Sequence, residues 1–186
     1  MFLMIEIETD LFSSLPDRVY LVGFMGCGKS TAGKRLAKRL GYRFIDLDKQ
    51  IEAQYKTSIP LLFEQYDEHA FRLLEQKALQ QTHSTEKTVI ATGGGAPCFF
   101  DNMDFMLNSG LVIYIHIPPK GLSDRLKHAK KKRPLISQVS TEELTRHIAE
   151  KLDERKDYYE KAHLKVDGIN LTATGLEKAI FNYALR

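Results

Sequence analysis

The segment Gly23-Phe24-Met25-Gly26-Cys27-Gly28-Lys29-Ser30-Thr31 fills the pattern G-x-x-x-x-G-K-[ST] at every fixed position, and its flanks decide what it means. Before it, Arg18-Val19-Tyr20-Leu21-Val22 is a short apolar run that predicts a buried strand. After it, Ala32, Leu36, Ala37 and Leu40 recur at helical spacing as far as Gly41, a residue suited to end a helix. Between a strand and a helix, glycines let the backbone turn tightly enough for consecutive N–H groups to point inward. The helix N-terminus adds partial positive charge, so the loop cradles a chain of phosphates. Gly26, Cys27, Gly28 and Thr31 line that cradle, Lys29 spans the β- and γ-phosphates, and the Ser30 hydroxyl ligates magnesium. The motif specifies a nucleoside triphosphate and is silent about a second substrate.

Further short strands are predicted at 43–48, 88–92, 111–117 and 164–166, with helices at about 49–55, 59–81, 99–108, 119–128, 141–162 and 174–185. Strands separated by helices of this length form βαβ units, hence an α/β fold with a parallel sheet and helices on both faces. All of 17–186 reads as one domain, preceded by an extension, 1–16, to which no role is assigned. A hydrophobic fraction of 43% with 27% charged residues is that of a soluble globular chain. The longest apolar run, about seven residues from Leu111, is too short for a membrane span. Glu6, Glu8 and Asp10, with no basic residue among them, do not make a signal peptide, so a cytoplasmic location is expected. Cys27 and Cys98 have no zinc-like spacing and read as free thiols. Net charge is +3, and six of the seven residues from Lys127 to Arg133 can be cationic. Such a run is a solvated loop, a nucleic-acid contact, or part of a mobile lid at about 123–140 that carries Arg133 onto phosphates. No aromatic residue interleaves it, which disfavours a single-strand binding groove.

A second group of residues suggests an acceptor. Asp46 and Asp48 end the second predicted strand, where alternation puts both carboxylates on one side, facing the phosphate loop. One would hold hydrated magnesium and the other accept a proton from an attacking hydroxyl; alternatively Asp48 is the N-cap of a helix from Lys49. Arg72 and Glu75 pair at i,i+3, an arrangement common on surfaces and then worth little. Gly93-Gly94-Gly95 follows the third strand and is either a ligand-approach loop or a plain flexible one. Arg155 lies on the long helix at 141–162.

In order and spacing, the loop at 23–31, Asp46-Leu47-Asp48, Phe71-Arg72-Leu73-Leu74-Glu75, Gly93-Gly94-Gly95, Arg133-Pro134-Leu135 and Arg155 resemble the shikimate kinase family, from about residue 18 to the C-terminus. The resemblance implies a three-layer α/β/α P-loop kinase fold with a five-stranded parallel sheet of order 2-3-1-4-5 and a mobile lid. It implies transfer of the ATP γ-phosphoryl group to the 3-hydroxyl of shikimate, with magnesium, in aromatic amino-acid biosynthesis. Arg72 and Arg155 would grip the shikimate carboxylate, Asp48 and Gly93, Gly94 and Gly95 its hydroxyls. Ser30 and Asp46 would hold the metal, Arg133 would reach ATP from the lid, and Arg125 would stack on adenine. Asp48, Lys29 and Arg133 would carry the chemistry. The partners expected are ATP and shikimate alone, for a monomer without nucleic acid or membrane. Three features depart from the family pattern, one being a spacing from Arg133 to Arg155 a few residues longer than typical. Arg155-Lys156-Asp157-Tyr158-Tyr159 lacks the usual proline of R-x-P-x-Y, and no adenine-contacting segment is recognisable in 167–174. The competing readings are another small-molecule P-loop kinase, such as a gluconate kinase, and a non-catalytic P-loop binding protein.

Overall fold

Side chains alternate along the strands of this protein, and both faces of its sheet are buried, as a parallel sheet requires. The computed structural model describes residues 15–128 and 140–185. Its strands are β1 (Arg18–Val22), β2 (Arg43–Asp46), β3 (Thr88–Ala91), β4 (Leu111–His116) and β5 (Leu164–Asp167). All pair in parallel, in the order β2-β3-β1-β4-β5. Val19 and Leu21 of β1, with Leu111, Ile113 and Ile115 of β4, face one core. Helices α1 (Lys29–Leu40), α6 (Pro119–Lys127), α7 (Thr141–Tyr159) and α8 (Ala173–Ala184) cover that face. Tyr20, Val22, Ile90, Val112 and Tyr114 point the other way. They meet α2 (Leu47–Tyr55), α3 (Ile59–Gln65), α4 (Glu68–Gln81) and α5 (Asn102–Ser109). The result is three layers, α/β/α, as the resemblance implied.

Local chemistry corrects three sequence expectations. Strand β2 stops at Asp46 because the Asp46 carboxylate accepts from the backbone N–H of Lys49 and caps α2; Asp48 is therefore in the first helical turn, neither in a strand nor the cap. The segment 59–81 is two helices, since Tyr66 is extended and Asp67 caps α4 through the N–H of Ala70 at 2.7 Å. The Arg72–Glu75 pair is not at the surface: both residues are buried. Of the predicted lid at 123–140, 123–127 continue α6 and Ser140 caps α7, while the part with Arg133 lies outside the described residues. Most of the extension 1–16 lies outside them too. Leu15 is buried in the core, and the Pro16 carbonyl accepts from the Tyr42 hydroxyl. Among the described residues no helix is long and apolar enough to cross a membrane.

Candidate active site

The strand register brings the predicted residues to one edge. Asp46 pairs with Ala91 and Ala91 with Leu21, so the ends of β2, β3 and β1 release Asp46, the glycine triplet and the phosphate loop side by side. In this order the chain reverses direction across the sheet beside β1, the place where open α/β sheets leave a crevice. A cleft of about 360 Å³ opens there, lined by Lys29, Ser30, Asp46, Asp48, Gly94 and Arg125 among others.

The phosphate loop spans Gly23 to Lys29 between β1 and α1. Gly28, the N-cap of α1, has φ 100°, a left-handed conformation that residues with a Cβ rarely adopt. Lys29 is nearly buried and lies along the loop, its ammonium donating to the carbonyls of Gly23 at 2.7 Å and Phe24 at 3.1 Å. The Ser30 hydroxyl donates to Asp46 Oδ2 at 2.6 Å, while Asp46 Oδ1 holds the N-terminus of α2. Hydroxyl and carboxylate thus meet at the mouth of the loop. Two hard oxygens of this kind fit magnesium, which takes one or two protein ligands and fills its other positions with water and phosphate.

Asp48 reaches the same cleft from the first turn of α2. Burial raises its carboxyl above the ordinary carboxylate range, the charge of Asp46 adds to the rise, and Lys29 opposes it. On α4, behind the glycine triplet, Arg72 is locked in place. Its Nη1 donates to Glu75 Oε2 at 2.7 Å, its Nη2 to Glu68 Oε1 at 3.0 Å, and its guanidinium lies 4.1 Å from the Phe99 ring centre. Arg72 Nε is buried without a partner among the described residues. Glu75 is also raised, by burial first, against the pull of Arg72. Arg155, from α7, donates through Nη1 to the Gly94 carbonyl at 3.3 Å and lies over the Phe24 ring at 5.4 Å.

The glycine triplet packs against these groups. A Cβ on Gly93 would collide with Glu75 Oε1 and lie 3.2 Å from Asp48 Oδ1; one on Gly95 would lie 2.8 Å from Arg72 Nη2. A side chain at Gly93 or Gly95 would therefore have to displace buried Glu75 or Arg72, so the triplet is a packed turn. Arg125 lines the main cleft and a neighbouring one of about 220 Å³. It donates to Cys27 O at 3.2 Å, Gly168 O at 2.8 Å and Ile169 O at 3.1 Å, tying the phosphate loop to the turn after β5.

Sequence reasoning missed several of these partners. Phe99 gave no signal, because only the fold brings it to Arg72. The wall of the second cleft, with Arg35, Gly168 and Leu171, lies partly in the segment 167–174 that carried no recognisable motif. Tyr159 was within reach: four residues after Arg155 it shares a helix face with it, and its hydroxyl donates to the same Gly94 carbonyl at 2.5 Å. Cys98 sits near both arginines, but burial pushes its thiol up to about 11, which leaves it an unreactive neighbour.

Comparison with known proteins identifies the family and the fold. The family model described as shikimate kinase matches residues 25–185. A shikimate kinase of Parabacteroides distasonis is 46% identical over 150 residues, which cover 81% of this chain and 87% of that protein. The crystal structure of shikimate kinase from Bacteroides thetaiotaomicron superposes with a TM-score of 0.82 at 36% identity, covering 90% of this chain and 95% of that one. Shikimate kinase from Acinetobacter baumannii in complex with shikimate gives a TM-score of 0.79 at 34% identity, covering 91% and 93%.

Proposed function

The chain belongs to the shikimate kinase family, and on that premise we propose that it transfers the γ-phosphoryl group of ATP to the 3-hydroxyl of shikimate in aromatic amino-acid biosynthesis. One observation carries the assignment of the acceptor side. Arg72 and Arg155, from two different helices, both meet the glycine triplet beside the phosphate loop, and Arg72 keeps a buried Nε–H to spare. A planar carboxylate is the partner that two neighbouring guanidinium groups suit.

In this reading the backbone around Gly26, Cys27, Gly28 and Thr31 holds the phosphates and Lys29 exchanges its loop carbonyls for β- and γ-phosphate oxygens. Ser30, and Asp46 through water, would hold magnesium, which would supply positive charge to the phosphates. Arg72 and Arg155 hold the shikimate carboxylate. Gly93, Gly94 and Gly95 and the Asp48 carboxylate orient the hydroxyls, and Asp48 takes the proton as the phosphoryl group moves. Arg125 borders the adenine, and Arg133 joins the phosphates from the segment between α6 and α7. The transition state of phosphoryl transfer is loose, so positioning contributes more than proton abstraction. The chain acts as a cytoplasmic monomer, with neither nucleic acid nor membrane as partner.

A gluconate kinase would share the phosphate loop but has no use for Arg72, the triplet and Arg155 in combination. The deciding assay couples ADP release to the candidate acceptors. Rapid release with shikimate, and background rates with gluconate and nucleoside monophosphates, is the expected result. Release that follows gluconate instead would overturn the proposal.

A further inference from the structure

The Gly94 carbonyl receives two donors, the Tyr159 hydroxyl at 2.5 Å and Arg155 Nη1 at 3.3 Å. A carbonyl has two lone pairs and can take both donors, while one is enough to keep it from being left unpaired. The two donors differ in freedom. Tyr159 is fully buried and stacked on Tyr114, ring centres 4.9 Å apart and planes 24° apart, so its hydroxyl has one direction to point. Arg155 is half-buried and makes the longer bond, and its guanidinium also lies within reach of the Tyr159 hydroxyl.

If Arg155 holds the acceptor's carboxylate, a role that rests on the function proposed above, it must turn at least part of its guanidinium away from the loop. The Gly94 carbonyl would then lose a donor at the moment when the neighbouring glycines have to hold still against the acceptor's hydroxyls. We propose that Tyr159 is a positioning residue for the acceptor: it keeps the Gly94 carbonyl bonded while Arg155 passes from that carbonyl to the substrate carboxylate. Two donors on one carbonyl thus let the arginine leave without loosening the glycine loop. The hydroxyl contributes little to the free protein, where Arg155 still serves the carbonyl, and its contribution is realised in the complex.

Tyr159→Phe keeps the stacked ring and removes only the O–H. The expected result is a KM for shikimate raised about two- to tenfold, the range of one neutral hydrogen bond, with the KM for ATP unchanged. The unfolding midpoint of the free protein should stay within about 2 °C of wild type, no more than the shift that loss of 1 kcal/mol gives in a chain this size. A shikimate analogue with hydroxymethyl in place of the carboxylate should bind the variant and wild type equally, because it does not draw Arg155 away. An unchanged KM for shikimate would overturn the proposal. So would an equal loss with both acceptors, or a variant that unfolds, since each marks the hydroxyl as structural. Wild-type protein that neither binds nor phosphorylates shikimate is a separate outcome, seen before any variant is made, and it removes the functional reading on which this inference stands.

Discussion

Asp48 is a carboxylate in a place that resists charge. Burial and the neighbouring Asp46 raise its pKa above the ordinary 3.8, so the folded chain holds the proton more tightly than the unfolded one. A raised value of this sign favours the fold on the acid side, and the advantage declines as pH climbs from about 3.8 through the folded value. At neutral pH the ionised group therefore costs stability, which is consistent with a residue kept for chemistry. Asp48→Asn should raise the unfolding midpoint at neutral pH, and the gain should vanish as pH approaches the ordinary carboxylate range; thermal unfolding at several pH values checks this. In the same variant, turnover at saturating substrates should fall about 100-fold or more. Near-normal turnover would leave Asp48 no catalytic part. Because Asp46 rather than Asp48 caps α2, the substitution leaves the cap intact. The Arg72–Glu75 spacing was legible in the chain, but its burial was not, since i,i+3 pairing looks the same on a wet face and a dry one. Burial changes its meaning: removing Arg72 leaves the buried Glu75 carboxylate without its ion-pair partner, a loss of about 3–5 kcal/mol against the near-zero value of a surface pair.

Helix α2 begins on Asp46, and that one carboxylate serves a helix and the mouth of the phosphate loop at once. The two duties separate chemically, because Asn caps a helix as well as Asp but is a poor metal ligand. Asp46→Asn should leave the unfolding midpoint within about 2 °C of wild type while raising the magnesium concentration for half-maximal rate about tenfold or more. A magnesium titration in the coupled assay reads the second value, and an unshifted curve would remove Asp46 from the metal site. The turn between β3 and the 3₁₀ segment at Ala96–Cys98 is a similar case. Its glycines make room for Glu75, Asp48 and Arg72, so a single methyl at Gly93 must push the buried Glu75 and with it Arg72. Gly93→Ala should raise the KM for shikimate about tenfold or more, in line with the cost of small misplacements, and leave the KM for ATP near wild type. Equal losses for both substrates in steady-state kinetics would mean that the turn supports the nucleotide as well.

Across the whole molecule the sheet carries the site, and one of its joints depends on pH. The Val112 N–H of β4 donates to His163 Nδ1 at 3.0 Å, just before β5, so the ring must be unprotonated at that nitrogen. Burial lowers the His163 pKa. A depressed folded-state value contributes stability in full above the ordinary 6.5, and the contribution is lost as pH falls through the folded value. His163→Asn offers an acceptor that does not titrate and should remove part of the acid-side loss. Urea unfolding of both proteins across this window tests it, and parallel curves would discount the joint. The chain by itself determined the phosphate loop, the alternation of strands and helices, and the types of residue available to an acceptor, because these are local properties of composition and periodicity. Helix ends were less legible: Asp46 and Asp67 stop or start elements through their own side-chain bonds, which compete with the hydrophobic pattern over one or two residues. Tertiary structure decided by which contacts Arg72 and Arg155, 83 positions apart in the chain, meet one glycine loop, that Phe99 covers the first and that the Tyr159 hydroxyl reaches the same carbonyl as the second. Those contacts depend on the sheet order and register, which place strand ends side by side irrespective of their distance along the sequence.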